Sequence, residues 1–221
     1  MGSRETILEI LSKHSEKGVS MPKEVESREL FKDYPPEGVE ESLKAFSDRL
    51  ALLSGECYPV ANKLEAAKKI LEIVNATKYT KIAVDRSEFV VDVVSQLSEL
   101  LRKIGNNLPI SLEEAPGTGF ASYEVSITQA DKLIARTGSV VIRNTTCGGR
   151  RLSVLPEFHI VLAKTSQIIP THTAWLKMVK ADPASSYAAV ITGPSRTSDI
   201  EKILVLGAHG PKRLAVVVVR G

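Results

Sequence analysis

A chain of 221 residues, 43% hydrophobic and 25% charged, is long enough for one sizeable α/β domain, alone or with an extension. Its net charge of +3 is too small to point to nucleic acid, and no apolar run reaches the roughly 18–20 residues that span a bilayer. Two cysteines, Cys57 and Cys147, without CxxC spacing, cannot build a cysteine-rich zinc or iron–sulfur site and fit a reducing cytoplasm.

The charged N-terminus lacks the apolar centre of a signal peptide, so a soluble, cytoplasmic protein is expected. Charge is unevenly placed. Residues 1–60 hold 8 Lys+Arg against 12 Asp+Glu, whereas residues 61–221 hold 21 against 14. The larger part is therefore mildly basic, which suits a small anionic ligand, an acidic partner or simply a solvated basic surface.

Ser3 to His14 carries Ile7, Leu8 and Leu11 at helical spacing, with Ser3 as the N-cap. Residues 15–38, with Gly18, Pro22, Pro35 and Pro36, read as a connector. A second helix is expected from Val39 to Leu53, with Val39, Leu43, Phe46, Leu50 and Leu53 on one face. Residues 1–60 are thus expected to form an N-terminal helical arm or cap, and residues 61–221 the main domain.

From residue 61 helices and short apolar strands alternate. Helices are expected over Asn62–Thr77 and Phe89–Ile104, and strands over Lys81–Val84, Leu108–Leu112 and Tyr123–Ile127. Thr128 to Arg136 reads as a helix, because Thr128-x-x-Asp131 imitates a capping box. Strands then follow at Val140–Ile142, His159–Ala163, Tyr187–Ile191 and Leu214–Val219, with a helix over Thr171–Val179. Short continuous apolar strands between helices predict an α/β fold with a mainly parallel sheet covered on both faces.

The densest cluster of hydrogen-bonding groups is Ile191-Thr192-Gly193-Pro194-Ser195-Arg196-Thr197-Ser198-Asp199-Ile200, followed by Gly207-Ala208-His209-Gly210-Pro211. A helix is expected from about Asp199, with Ser198 as N-cap and Glu201 completing a capping box. Its first-turn amides, the hydroxyls of Ser195 and Thr197 and the guanidinium of Arg196 form a candidate site for a carboxylate or phosphate. Asp199 and Glu201 also neutralise that helix end, so capping alone accounts for the pattern equally well.

His209 is the candidate acid or base, because imidazole titrates near neutral pH; tying down a turn is its other reading. Gly210 and Pro211 fix that turn in either case. Thr137, Gly138 and Ser139 form a second hydroxyl-bearing glycine turn, in which Gly138 fits the left-handed cap of a helix end. The loop Asn144 to Arg151, with Cys147, Gly148, Gly149 and paired arginines, either closes over an anion or is simply solvated. Cys147 is a nucleophile only if its surroundings lower its pKa. His159 reads as a core histidine, His172 as a helix-start residue and Trp175 as packed against the sheet.

In order along the chain, Ile127-Thr128-Gln129-Ala130-Asp131, Arg136-Thr137-Gly138-Ser139, Leu155-Pro156-Glu157-Phe158-His159-Ile160-Val161 and the two C-terminal segments resemble the LUD-domain family, in particular its lactate utilization protein C (LutC/YkgG-like) group. The resemblance runs from about residue 61 to 221, and the paired C-terminal segments carry most of its specificity. Ser139 stands where the family often has Thr, and Ser198 where it often has Ala. The resemblance implies a NagB/RpiA/CoA-transferase-like fold. It also implies a role in converting L-lactate to pyruvate with iron–sulfur-containing partner proteins, which would carry the clusters, with no cofactor on this chain. The alternatives are an independent enzyme related to CoA transferases or sugar-phosphate isomerases, and a regulatory module that binds a small carboxylate or phosphate.

Overall fold

The computed structural model describes residues 38–77, 79–106, 108–112, 123–143, 150–181, 187–198, 204–206 and 210–220. The expected first helix, the connector, Asn144 to Gly149 and the stretches 199–203 and 207–209 lie outside the described residues.

Six parallel strands form the main sheet: β1 (Glu56–Val60), β2 (Ile82–Val84), β3 (Ile110–Leu112), β4 (Val125–Gln129), β7 (Phe158–Lys164) and β12 (Arg213–Val219). Their order across the sheet is β1-β12-β7-β4-β2-β3. β7 and β12 are apolar on both faces because both faces are covered, as a buried parallel sheet requires. Ile160, Leu162, Ala215 and Val217 pack on one side with helices α2 (Lys63–Asn75) and α3 (Glu88–Lys103). The α2 stripe of Ala66, Ala67, Ile70, Ile73 and Val74 is buried there, and the Asn62 side chain caps the helix by accepting from the Glu65 amide at 3.0 Å.

Val161, Ala163, Leu214, Val216 and Val218 face the other side, against helix α1 (Val39–Leu52) and a second sheet. That sheet has the order β8-β5-β6-β9, formed by β5 (Lys132–Ile134), β6 (Ser139–Arg143), β8 (Ile168–Ile169) and β9 (Ala188–Ile191). A short helix α4 (Arg150–Val154) precedes β7, and helix α5 (His172–Ala181) covers the outer face of the second sheet through Trp175, which is buried with Ile134, Val141 and Ile169. The α/β class with a mainly parallel sheet flanked by helices therefore holds, with a second sheet added to one flank.

Two local expectations are corrected. Thr128 to Arg136 is not a helix: Val125–Gln129 continues as β4, and Lys132–Ile134 pairs antiparallel with β6. Thr137-Gly138-Ser139 is accordingly a hairpin turn rather than a helix end. Arg196–Ser198 forms β10, paired antiparallel with β11 (Leu204–Leu206), and the helix expected from about Asp199 falls on residues 199–203, outside the described residues. The boundary expected at residue 60 also cuts through the body. β1 is an edge strand of the main sheet, and Phe46 and Leu50 of α1 are fully buried in its core.

Candidate functional site

The polar C-terminal segments do meet. The Ser195 amide donates to the Pro211 carbonyl at 2.8 Å, and Gly210 lies against the Ser195 side chain. What they meet around is the end of α1. A Cβ on Gly138 would stand 2.4 Å from the Leu50 nitrogen, and one on Gly193 would stand 2.9 Å from the Leu53 Cβ. Both glycines also have positive φ, 64° and 91°. They let two turns close on the α1 C-terminus, where a side chain has no room.

The Arg196 guanidinium donates to the Leu53 carbonyl and to Ser54 Oγ, the latter at 2.6 Å. It thus serves a helix end rich in unpaired carbonyls. Thr137 Oγ1, Ser139 Oγ and Thr192 Oγ1 form a hydroxyl chain with links of 2.7 and 2.9 Å. Of the anion site drawn from Ser195, Arg196 and Thr197, Arg196 and Thr197 lie on β10, and the helix expected from Asp199 falls on residues outside the described ones. His209 lies outside the described residues.

A second place has the geometry of a ligand site. β2 leads through α3 to β3 on one side, while β4 leads through the second sheet to β7 on the other. The carboxyl ends of β2 and β4 are adjacent, so their connections part at the crevice where open α/β sheets bind ligands. A pocket of about 150 Å³ lies there, lined by Asp85, Ser87, Gln129, Ala130, Asp131, Arg143 and Gln167.

Asp85 directly follows β2 and is buried. Its Oδ1 accepts from the Ser87 amide at 2.9 Å and the Ser87 hydroxyl at 2.6 Å, and its Oδ2 accepts from the Gln129 amide at 2.7 Å. Ser87 precedes α3 but gives its hydroxyl to Asp85 rather than capping the helix. Asp131 is anchored through its amide, which donates to the Val141 carbonyl at 2.8 Å, and its Oδ2 accepts from Trp175 Nε1 at 3.2 Å. Arg143 ends β6 and supplies the cation among the lining residues. Gln167 is committed to the Ala130 and Asp131 carbonyls. None of these residues was singled out as a site from the sequence. The available signal was an Asp placed immediately between a short apolar strand and a helix.

Two other reactive groups among the described residues are held in their neutral forms. His159 is fully buried, with Nε2 2.8 Å from Thr128 Oγ1, and burial pushes its pKa down to about 3. Its Nδ1 and Ser126 Oγ, at registered positions on β7 and β4, have no hydrogen-bond partner among the described residues. Burial pushes the Cys57 thiol up to about 11, which keeps it protonated near neutral pH. The helix start at His172 is capped by Thr171, whose Oγ1 accepts from the Ala174 amide at 3.2 Å. No described helix is long and apolar enough to cross a membrane.

The family model for the LUD domain matches residues 4–219. The chain belongs to the LUD-domain family. Lactate utilization protein C of Anoxybacillus flavithermus is 35% identical over 95 residues, covering 43% of this chain and 43% of that protein. Its namesake in Deinococcus radiodurans is 39% identical over 88 residues, covering 39% and 42%, and that of Bacillus subtilis is 34% identical over 100 residues, covering 43% and 42%. The chain thus spans less than half the length of these relatives. A crystal structure of a DUF162 family protein from Deinococcus radiodurans superposes with a TM-score of 0.62 at 21% identity, covering 83% of this chain and 99% of that one. That likeness establishes a shared fold for this LUD-domain chain.

Proposed function

We propose that this LUD-domain chain is an accessory, substrate-binding subunit that acts with iron–sulfur-containing partner proteins in oxidising L-lactate to pyruvate. The observation that carries the proposal is the pocket at the parting of β2 and β4. At about 150 Å³ it falls below the roughly 300–1,000 Å³ of sites for larger ligands, and it suits an acid of three carbons better than a dinucleotide or a CoA ester. Arg143 puts a planar, permanently charged group on the pocket wall. The names of the relatives support the pathway.

Oxidation of an α-hydroxy acid to an α-keto acid releases two electrons and two protons. The lining residues of this pocket bind, orient and exchange protons, and the electrons pass to the partners. Deletion of the gene should abolish growth on L-lactate as sole carbon source, with recovery on re-expression. The tagged chain should co-purify with proteins that carry iron and acid-labile sulfide. Oxidation of L-lactate at the parental rate by the deletion strain would overturn the proposal.

A further inference from the structure

We infer that His159 is a positioning residue for the pocket between β2 and β4: through Thr128 it holds the stretch of β4 that becomes the pocket wall. The inference rests on the reading of that pocket as the lactate site, and one of its two readouts needs no ligand.

A row of polar side chains in an apolar sheet carries it. Ser126, Thr128 and His159 are buried on β4 and β7, the two central strands, while Val125, Ile127, Phe158 and Ile160 to Ala163 around them are apolar. Burying a polar group costs stability unless it is hydrogen-bonded, yet Ser126 Oγ and His159 Nδ1 meet no partner among the described residues. Departures of this kind from core-building rules are concentrated at functional sites. What the row does make is the 2.8 Å bond between His159 Nε2 and Thr128 Oγ1. A proton on the unpartnered Nδ1 would be an orphaned buried N–H, which native structures rarely keep, so Nε2 donates and Thr128 accepts.

The placement of that bond gives it a use. His159 is registered with Ser126, yet its ring reaches along β4 to Thr128, nearer the carboxyl end. Pairing of β4 with β2 ends at Ile127, so Thr128 is the first residue to leave that neighbour. Gln129, Ala130 and Asp131 follow at once and line the pocket. Their amides are held from three sides, by the Asp85 carboxylate after β2, the Leu162 carbonyl of β7 and the Val141 carbonyl of β6. The His159 bond adds a fourth hold at the root of the stretch, through a side chain. His159 does not line the pocket itself. It sets where the wall stands, and Asp131 Oδ2 on that wall accepts from Trp175 Nε1 at 3.2 Å.

The test compares the full wild-type chain with Thr128→Val, His159→Asn and His159→Gln. Val keeps the shape of Thr without its hydroxyl. Gln carries an amide N–H where His carries Nε2, whereas Asn stops at the place of Nδ1. The first readout is the indole N–H resonance of Trp175, the one tryptophan of the chain, in two-dimensional proton–nitrogen spectra. It should move in Thr128→Val and His159→Asn and stay near its wild-type position in His159→Gln. The second readout is calorimetric titration with L-lactate. Thr128→Val and His159→Asn should each weaken binding about fivefold to tenfold, the worth of one hydrogen bond, and His159→Gln about twofold or less. The double variant Thr128→Val with His159→Asn should bind about as well as either single variant, because both remove the same contact. A role in core packing alone would move Asn and Gln together, since both remove the ring. That result would overturn the inference, as would wild-type affinity in Thr128→Val, and either leaves the lactate reading standing. If the wild type binds no lactate, the lactate reading falls and the Trp175 resonance decides the inference alone. Movement that His159→Gln restores upholds the positioning of the wall, and an unmoved resonance overturns it.

Discussion

The Gln129 amide donates to Asp85 Oδ2 across 2.7 Å, tying the carboxyl end of β4 to that of β2 where their connections part. Three donors converge on this one buried carboxylate. Asp85→Ala leaves two backbone amides and a hydroxyl without an acceptor. Unsatisfied buried groups cost about 1–3 kcal/mol each, and the Ser87 hydroxyl can rotate away, so a loss of about 3 kcal/mol is expected. Urea denaturation monitored by circular dichroism measures it. A loss below about 1 kcal/mol would show that Asp85 does not hold the strand ends.

Gly138 and Gly105 make a matched pair. Both have positive φ, 64° and 69°, but an added Cβ meets the α1 backbone at Gly138 and open space at Gly105. Alanine at either position carries the backbone penalty of roughly 1–2 kcal/mol. Only at Gly138 does it also push against Leu50, adding about 1–3 kcal/mol. Equal destabilisation of the two variants would contradict the close approach of α1 to the β5–β6 turn.

Burial pushes the His159 pKa from 6.5 down to about 3. The unfolded chain takes up a proton at this residue below about pH 6.5, and the folded chain does not until about pH 3. The stabilising contribution is therefore complete above pH 6.5 and declines as pH falls through that window, by up to about 1.4 kcal/mol per pH unit. Between pH 7 and 5, before most carboxylates titrate, the wild type should lose stability more steeply than His159→Gln. Parallel slopes in urea titrations at those pH values would contradict the neutral, buried imidazole.

Trp175 is the one tryptophan of the chain, and its Nε1 donates to Asp131 Oδ2 on the pocket wall. Its fluorescence should change saturably as a small hydroxy acid fills the pocket. The change should weaken in Asp131→Asn, where a neutral amide replaces the carboxylate. A wild-type titration by fluorescence alongside calorimetry checks this, and binding heat without any spectral change would place the ligand elsewhere.

The sequence pattern makes the main sheet legible wherever a strand is buried on both faces. Leu214 to Val219 and His159 to Ala163 have no polar side and can only be central strands once short turns bound them. The stripes of α2 and α3 are equally plain. β1 was hidden by Pro59, which argues against a central strand but is tolerated at the edge that β1 occupies. Thr128 to Arg136 was misread because a capping-box spacing coincides with two very short strands, and tertiary pairing with β6 and β8 decides the outcome. Thr137, Gly138, Gly193 and Arg196 read from the sequence as parts of an anion site, whereas the requirement visible at Gly138 and Gly193 is the passage of α1, far away in sequence. Asp85 and Gln129 are 44 residues apart and meet only because β2 lies beside β4. Strand order is not written in local pattern, so the pocket was out of reach.

The most direct test of the proposed role is calorimetric titration of the purified chain with L-lactate, for the wild type and for Arg143→Ala. Saturable one-site binding is expected in the wild type, weakened at least about tenfold in a folded Arg143→Ala variant, since a charged hydrogen-bonded pair is worth about 1.5–3 kcal/mol. Equal affinity in the two proteins, or no binding in the wild type, would contradict the assignment of this pocket to lactate.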